Sequence, residues 1–131
     1  VIGHHFKART HSSYGNVDWL KEAHIQTVWM NPQDAEERGI KNDDLVFIYN
    51  ERGTLRLPAK VTTRIVPGTI SVPQGAWYDP KPASEVTPPA GANPKKPVDM
   101  AGSVNTLTSL HPTPIAKGMG VHTILAQVVK A

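Results

Sequence analysis

The stretch Thr10 to Leu20, THSSYGNVDWL, sets three small aliphatic hydroxyls, a carboxamide, a histidine and a glycine just ahead of a Trp-Leu pair. Such groups donate and accept hydrogen bonds in quantity, and none of them is a strong nucleophile on its own. A short loop this rich in them suits one of two tasks: it forms a hydroxyl-rich turn that caps a short helix near Val17 to Glu22, or it holds a large polar ligand. Elsewhere the chain offers no acid, base or nucleophile set. Asp43 with Asp44 and Glu36 with Glu37 are sequence neighbours on a turn and a helix, which suits solvated charges better than a paired-carboxylate site. There is no cysteine, so disulfides, zinc fingers and thiol nucleophiles are excluded within these residues. Of the six histidines, His4 and His5 are adjacent and the rest are scattered, without HExxH or HxH spacing; they read as surface or hydrogen-bonding imidazoles, and no metal ligands are assigned.

These groups must be positioned by a chain of 131 residues, one domain's worth. Hydrophobic residues at 39% and charged residues at 19% match an ordinary globular composition. No apolar run approaches the roughly 18 residues of a spanning helix, so no membrane insertion is expected. The formal net charge of +3 permits an anionic partner. Lys7, Arg9, Lys21, Arg38, Lys41, Arg52, Arg56, Lys60 and Arg64 are dispersed, however, without the stripe of a nucleic-acid binder, and no nucleic-acid partner is expected. Val1 and Ile2 read as the interior of a strand with no turn signal before them, which suits a piece cut from a longer chain.

Along the chain, NPQDAEERGI predicts a helix of about two turns. Asn31 caps it, Pro32 suits the first position, Asp34 lies near the positive dipole end, and Gly39 takes the left-handed conformation that stops it. Leu45 to Tyr49 then form an apolar run suited to a buried strand, Asn50 to Gly53 a turn, and Leu55, Leu57, Ala59 and Val61 alternate with polar residues as a second strand. Pro58 cannot donate a ladder hydrogen bond, so that second strand is expected at an edge or bulged. Pro67 and Gly68 turn into a short strand through Ile70 and Val72, and His122 to Lys130 predicts a last strand. Between them Asp79 to Asp99 is dense in proline and reads as an extended loop without regular structure. Short strands, one short helix and one long loop imply a closed or nearly closed mixed barrel.

In this order, THSSYGNVDWL, then the segment from Val28 to Tyr78, then VDMAGSVNTLTS resembles the C-terminal molybdopterin-dinucleotide-binding domain of the dimethyl sulfoxide reductase family. The likeness covers nearly the whole chain apart from the Pro-rich loop. Residues Asn31 to Gly68 resemble the helix and crossed loops of a double-psi β-barrel, a fold that also serves proteases, decarboxylases, transcription regulators and adaptors. The resemblance thus implies a mainly β fold with short helices, a double-psi β-barrel of six or seven strands, over residues 1–131 as one piece of a larger chain, with a Pro-rich insertion at 79–99.

In that family the domain closes over pterin dinucleotides that chelate molybdenum, or tungsten in some relatives. The implied cofactor is molybdopterin guanine dinucleotide, with the metal held by earlier parts of an anaerobic oxidoreductase. His11, Ser12 and Ser13 would form the first cofactor-facing loop. Gln74, Gly75, Ala76 and Trp77 would form a second, although locally they read equally well as a core tryptophan beside a turn. Asn105, Thr108 and Ser109 would form a third, the carboxamide of Asn105 matching the paired donors and acceptors of a pterin or guanine edge. In AKGMGVH, Lys117 would face a phosphate and Gly118 would make a tight turn, a solvated lysine being the plainer local reading. Implied partners are the remaining domains of the parent catalytic subunit, with iron-sulfur electron-transfer and membrane-anchor subunits beyond them. The parent's location stays open between a periplasm-facing and a cytoplasmic one. A formate-dehydrogenase-like or tungsten-dependent parent would use the same domain, and a free-standing double-psi barrel could be an adaptor or DNA-binding module.

Overall fold

The computed structural model describes residues 1–118, 120 and 122–131, so Met119 and Val121 of the AKGMGVH segment lie outside the described residues. Among the described residues, two short α-helices form where local chemistry favours them. Helix α1 (Asp18–Ala23) follows the polar loop, yet Val17 at its N-cap makes no side-chain hydrogen bond. The hydroxyls of Thr10 to Ser13 therefore do not cap it. Helix α2 (Pro32–Glu37) is built as its sequence requires: Asn31 Oδ1 accepts from the Gln33 amide at 2.9 Å, Pro32 fills the position where its missing N–H costs nothing, and Gly39 turns at φ +62°. Ala35 presents its buried face to the core.

Eight strands among the described residues form one mixed sheet. They are β1 (Ile2–His4), β2 (Val28–Met30), β3 (Leu45–Tyr49), β4 (Thr54–Val61), β5 (Ile70–Pro73), β6 (Pro80–Lys81), β7 (Val98–Asp99) and β8 (Gln127–Lys130). The main path runs β1-β5-β2-β4-β3-β8, and β7 pairs with both β4 and β6. The hairpin expected from sequence is present, with β3 antiparallel to β4 from Leu45↔Pro58 to Tyr49↔Thr54. Leu55, Leu57 and Ala59 point inward from β4 and meet Val28, Met30, Val46, Ile48, Val72 and Leu107 in a single apolar core. Val46, Phe47 and Ile48 of β3 are buried, whereas Leu45 at its start is exposed.

Four expectations are corrected. The sheet has eight strands rather than six or seven, because the Pro-rich segment, expected to lack regular structure, supplies β6, which pairs with β7. Strand β4 is not an edge: β3 lies along one side, and β7 and β2 lie along the other. Pro58 is tolerated because the Ala59 amide donates toward β3, to Asp44 O at 2.8 Å, which turns the nitrogen of Pro58 to the opposite side. There it falls between β7, which pairs with residues 54 and 55, and β2, which pairs with residues 59 to 61. Finally, the last strand begins at Gln127 rather than His122, since β3 ends opposite Gln127 at Tyr49. The preceding chain is held instead by contacts outside the ladder: Asn50 Nδ2 donates to Leu125 O at 3.1 Å and the Val1 nitrogen to Ile124 O at 2.6 Å.

At the foot of β3, Asp44 Oδ2 accepts from Lys130 Nζ at 2.7 Å and from the Lys41 amide at 2.8 Å. The Lys130 hydrogen bond and then the Lys41 amide hold its carboxyl below the usual range. A depressed folded pKa means that the contribution is present above the unfolded value, about 3.9, and is lost as pH falls through the folded value. Asp44→Asn should therefore flatten part of the decline in urea midpoint below about pH 4. An acid limb identical to that of the unaltered chain would show that the Lys130–Asp44 link contributes nothing.

Candidate functional site

Three polar segments that are far apart in sequence meet at one cleft of about 290 Å³. His11 and Ser12 line it from the first, Gln74, Gly75 and Ala76 from the second, and Asn105 from the third. The sheet explains the first two. Parallel pairing of β1 with β5 ends at His4↔Pro73, and Gln74 N then donates to His4 O at 2.9 Å, so both chains leave the sheet side by side. Beyond that point their backbones touch. Gly75 sits at φ +87°, and a Cβ built on it would collide with the carbonyl oxygen of His11. Only glycine allows both the conformation and the approach. Trp77 Nε1 donates to Ser12 O at 2.7 Å, and its ring covers Gly15 so closely that any side chain there would strike it.

A buried carboxylate builds the third segment. Asp99 is 0% exposed, and its Oδ1 accepts from the amides of Asp79 at 2.9 Å and Ala101 at 3.1 Å while Oδ2 accepts from Ser103 at 2.6 Å. Three amide donors satisfy the charge that burial would otherwise penalise. They also fix the turn that enters the 3-10 helix Val104–Leu107, whose buried Leu107 anchors it to the core and whose Asn105 stays exposed at the cleft. Ser12 and Asn105 use their backbone carbonyls internally, for Trp77 and Thr108. Among the described residues, no internal hydrogen bond occupies the Ser12 hydroxyl or the Asn105 carboxamide. Gln74 is less free, since its Nε2 lies 3.0 Å from His5 Nδ1.

The remaining residues singled out from sequence lie outside this cleft. Ser13 is exposed beside it. Trp77 is 52% exposed, so it is not the core tryptophan of the local reading; it braces the first loop from behind. Thr108 Oγ1 donates to Asn105 O at 2.9 Å, and Ser109 Oγ accepts from the His111 amide at 3.4 Å, both within their own segment. Lys117 and Gly118 belong to a separate exposed turn closed by Thr113, which donates to Gly118 O at 2.8 Å. Two cleft residues gave no local signal. Gly3 and His122 come together through Gly3 N and His122 Nδ1 at 3.4 Å across 119 positions of sequence.

A larger cleft of about 600 Å³ is lined by His4, His24, Trp29, Lys60 and Arg64, among others. His4 Nδ1 lies 2.7 Å from Ser71 Oγ, and its ring packs 4.7 Å from that of Trp29. Burial pushes the His4 pKa down, favouring neutral imidazole. Larger size does not make this the better candidate. None of the three polar segments reaches it, and its walls carry the three long cationic side chains of Lys7, Lys60 and Arg64 where the smaller cleft carries backbone and amide groups.

Residues 1–125 match the family described as the molydopterin dinucleotide binding domain. The chain is 48% identical over 130 residues to dimethyl sulfoxide reductase DmsA of Escherichia coli K12, covering 99% of this chain and 14% of that protein. It is likewise 48% identical over 128 residues to DmsA of Haemophilus influenzae, covering 98% of this chain and 14% of that protein. Among solved structures, acetylene hydratase from Pelobacter acetylenicus shares the fold with a TM-score of 0.74 at 20% identity, over 99% of this chain and 18% of that one.

The contact between the first two loops generates a test. Gly75→Ala should cost about 1–3 kcal/mol of stability through the strained backbone. Its amide shift changes should spread to residues 11–13, and perturbation confined to the neighbours of residue 75 would show that the two loops do not bear on one another.

Proposed function

The chain belongs to the molydopterin dinucleotide binding domain family, and on that footing we propose that the cleft lined by His11, Ser12, Gln74, Gly75, Ala76 and Asn105 receives one end of a molybdopterin guanine dinucleotide. The observation that carries this is the convergence of three distant polar segments on one cleft whose Ser12 hydroxyl and Asn105 carboxamide are left without internal partners among the described residues. Its chemistry fits the group. A carboxamide pairs a donor with an acceptor as a pterin or guanine edge does, and Gly75 exposes backbone without a side chain in the way. A volume near the lower end of ligand pockets, about 300 Å³, suits part of a large ligand, with the other walls supplied by the rest of a parent protein. Ser13, Thr108 and Ser109 support the loops from just outside, and Lys117 with Gly118 would reach a phosphate only at the cleft's periphery.

The chain spans about 14% of the length of the dimethyl sulfoxide reductases it matches. We therefore read residues 1–131 as one domain of a larger oxidoreductase catalytic subunit, with residues 79–99 as a Pro-rich insertion. The parallel pairings of β1 with β5 and of β2 with β4, threaded between antiparallel ones, support a double-psi β-barrel. When bound, the dinucleotide supplies molybdenum for oxygen-atom transfer from a substrate such as a sulfoxide. The task of this chain is to bind and orient it. Metal ligation and substrate choice fall to the parent's other domains, and electrons to iron-sulfur and membrane-anchor subunits.

Within such a parent, Asn105→Ala should lower the dinucleotide content of the purified enzyme more than Lys117→Ala. A buried ligand edge left without a partner costs about 1–3 kcal/mol, whereas an exposed charge contact is worth less than about 1. Equal content in the two variants would count against the assignment of the cleft.

A further inference from the structure

We propose that Gln26 is the positioning residue that holds the three cleft-lining segments in one arrangement, and so sets how tightly the dinucleotide is retained. Gln26 lies in the connection between α1 and β2 and does not line the cleft. Its carboxamide is engaged on both ends. Oε1 accepts from Arg9 Nη2 at 2.7 Å, while Nε2 donates to Pro73 O at 2.7 Å and to Gly102 O at 3.2 Å. These partners share one relation to the cleft. Arg9 immediately precedes the Thr10 loop, Pro73 precedes Gln74, and Gly102 precedes Ser103 at the entry to the 3-10 helix that carries Asn105.

The residue type follows from that geometry. Two backbone carbonyls demand two N–H donors, and a guanidinium demands an acceptor; among side chains of this length only a carboxamide supplies both from one planar group. Other links are pairwise: Trp77 ties the second loop to the first, and Asp99 ties Asp79 to the third. Among the described residues, Gln26 is the one side chain that bonds to the approaches of all three. Its stem is also packed, since a Cβ on Gly102 would meet Gln26 Cγ at 3.0 Å. A shift of this one side chain therefore moves all three walls of the cleft together, which is why it bears on ligand retention although it touches no ligand.

This inference rests on the reading of the cleft as a dinucleotide site, and the test separates the two. In the full-length enzyme that carries this domain, Gln26→Glu, Gln26→Ala and Asn105→Ala would each be purified, checked for folding by circular dichroism, and assayed for bound molybdenum and guanine nucleotide. Gln26→Glu keeps the shape and the Arg9 partner but turns an oxygen toward the carbonyls of Pro73 and Gly102. At neutral pH both Gln26 variants should retain about tenfold less dinucleotide than the unaltered enzyme, the loss expected from one or two hydrogen bonds. As pH is lowered into the carboxyl range, Gln26→Glu should recover relative to the unaltered enzyme at the same pH, because the protonated acid regains one donor; Gln26→Ala should not. A loss of packing alone would give no such pH profile. Full content in Gln26→Glu beside depleted Asn105→Ala would overturn the role of Gln26 while leaving the cleft reading intact. So would a Gln26→Glu enzyme depleted alike at every pH. Full content in all three variants would overturn the cleft reading itself.

Discussion

Strand β4 is the constraint on which the rest of the molecule depends. It is bonded to β3 along one side and to both β7 and β2 along the other, so it links the hairpin, the Pro-rich segment and the cleft-bearing strands. Its inward residues Leu55, Leu57 and Ala59 are almost wholly buried, and burying each leucine side chain is worth about 1.5–3 kcal/mol. A one-residue slip of β4 would turn this face to solvent and the polar face inward, so register is set by burial. Because β7 starts the turn that Asp99 organises, that same register determines where Asn105 emerges.

Local chemistry made much of this legible from the sequence. The cap of Asn31, the proline at the first helical position and the stop at Gly39 are short-range features, and α2 formed where they placed it. The β3–β4 hairpin was legible because period-two burial and a turn signal agreed. Expectations failed where a distant partner decided the outcome. Whether Pro58 is tolerated depends on a gap between two strands some thirty to forty positions away in either direction, and the start of β8 depends on where β3 ends. The site followed the same division. Runs of small polar residues marked the three segments, whereas Gly3, His122 and Gln26 act through pairings across long stretches of chain that no local composition reveals.

The cleft is preorganised by backbone rather than by side-chain packing. Gly75 against His11, Trp77 against Ser12 and Asp99 against three amides fix main-chain positions, and the groups left free at the cleft are short. Short side chains on a fixed main chain have little rotamer entropy to lose when a ligand arrives, which favours tight retention of a large polar molecule. The larger histidine- and lysine-lined cleft is built the other way, from long side chains on exposed positions.

The joining of Gly3 to His122 carries a consequence for biosynthesis. Within this segment the ribosome delivers residue 3 well before residue 122. The loops that leave β1 and β5 can be laid down earlier in synthesis, but the wall that His122 contributes to the cleft cannot exist until nearly the whole segment has emerged. A ligand that requires the finished cleft would therefore be loaded after translation of this segment, once its first and last parts have paired.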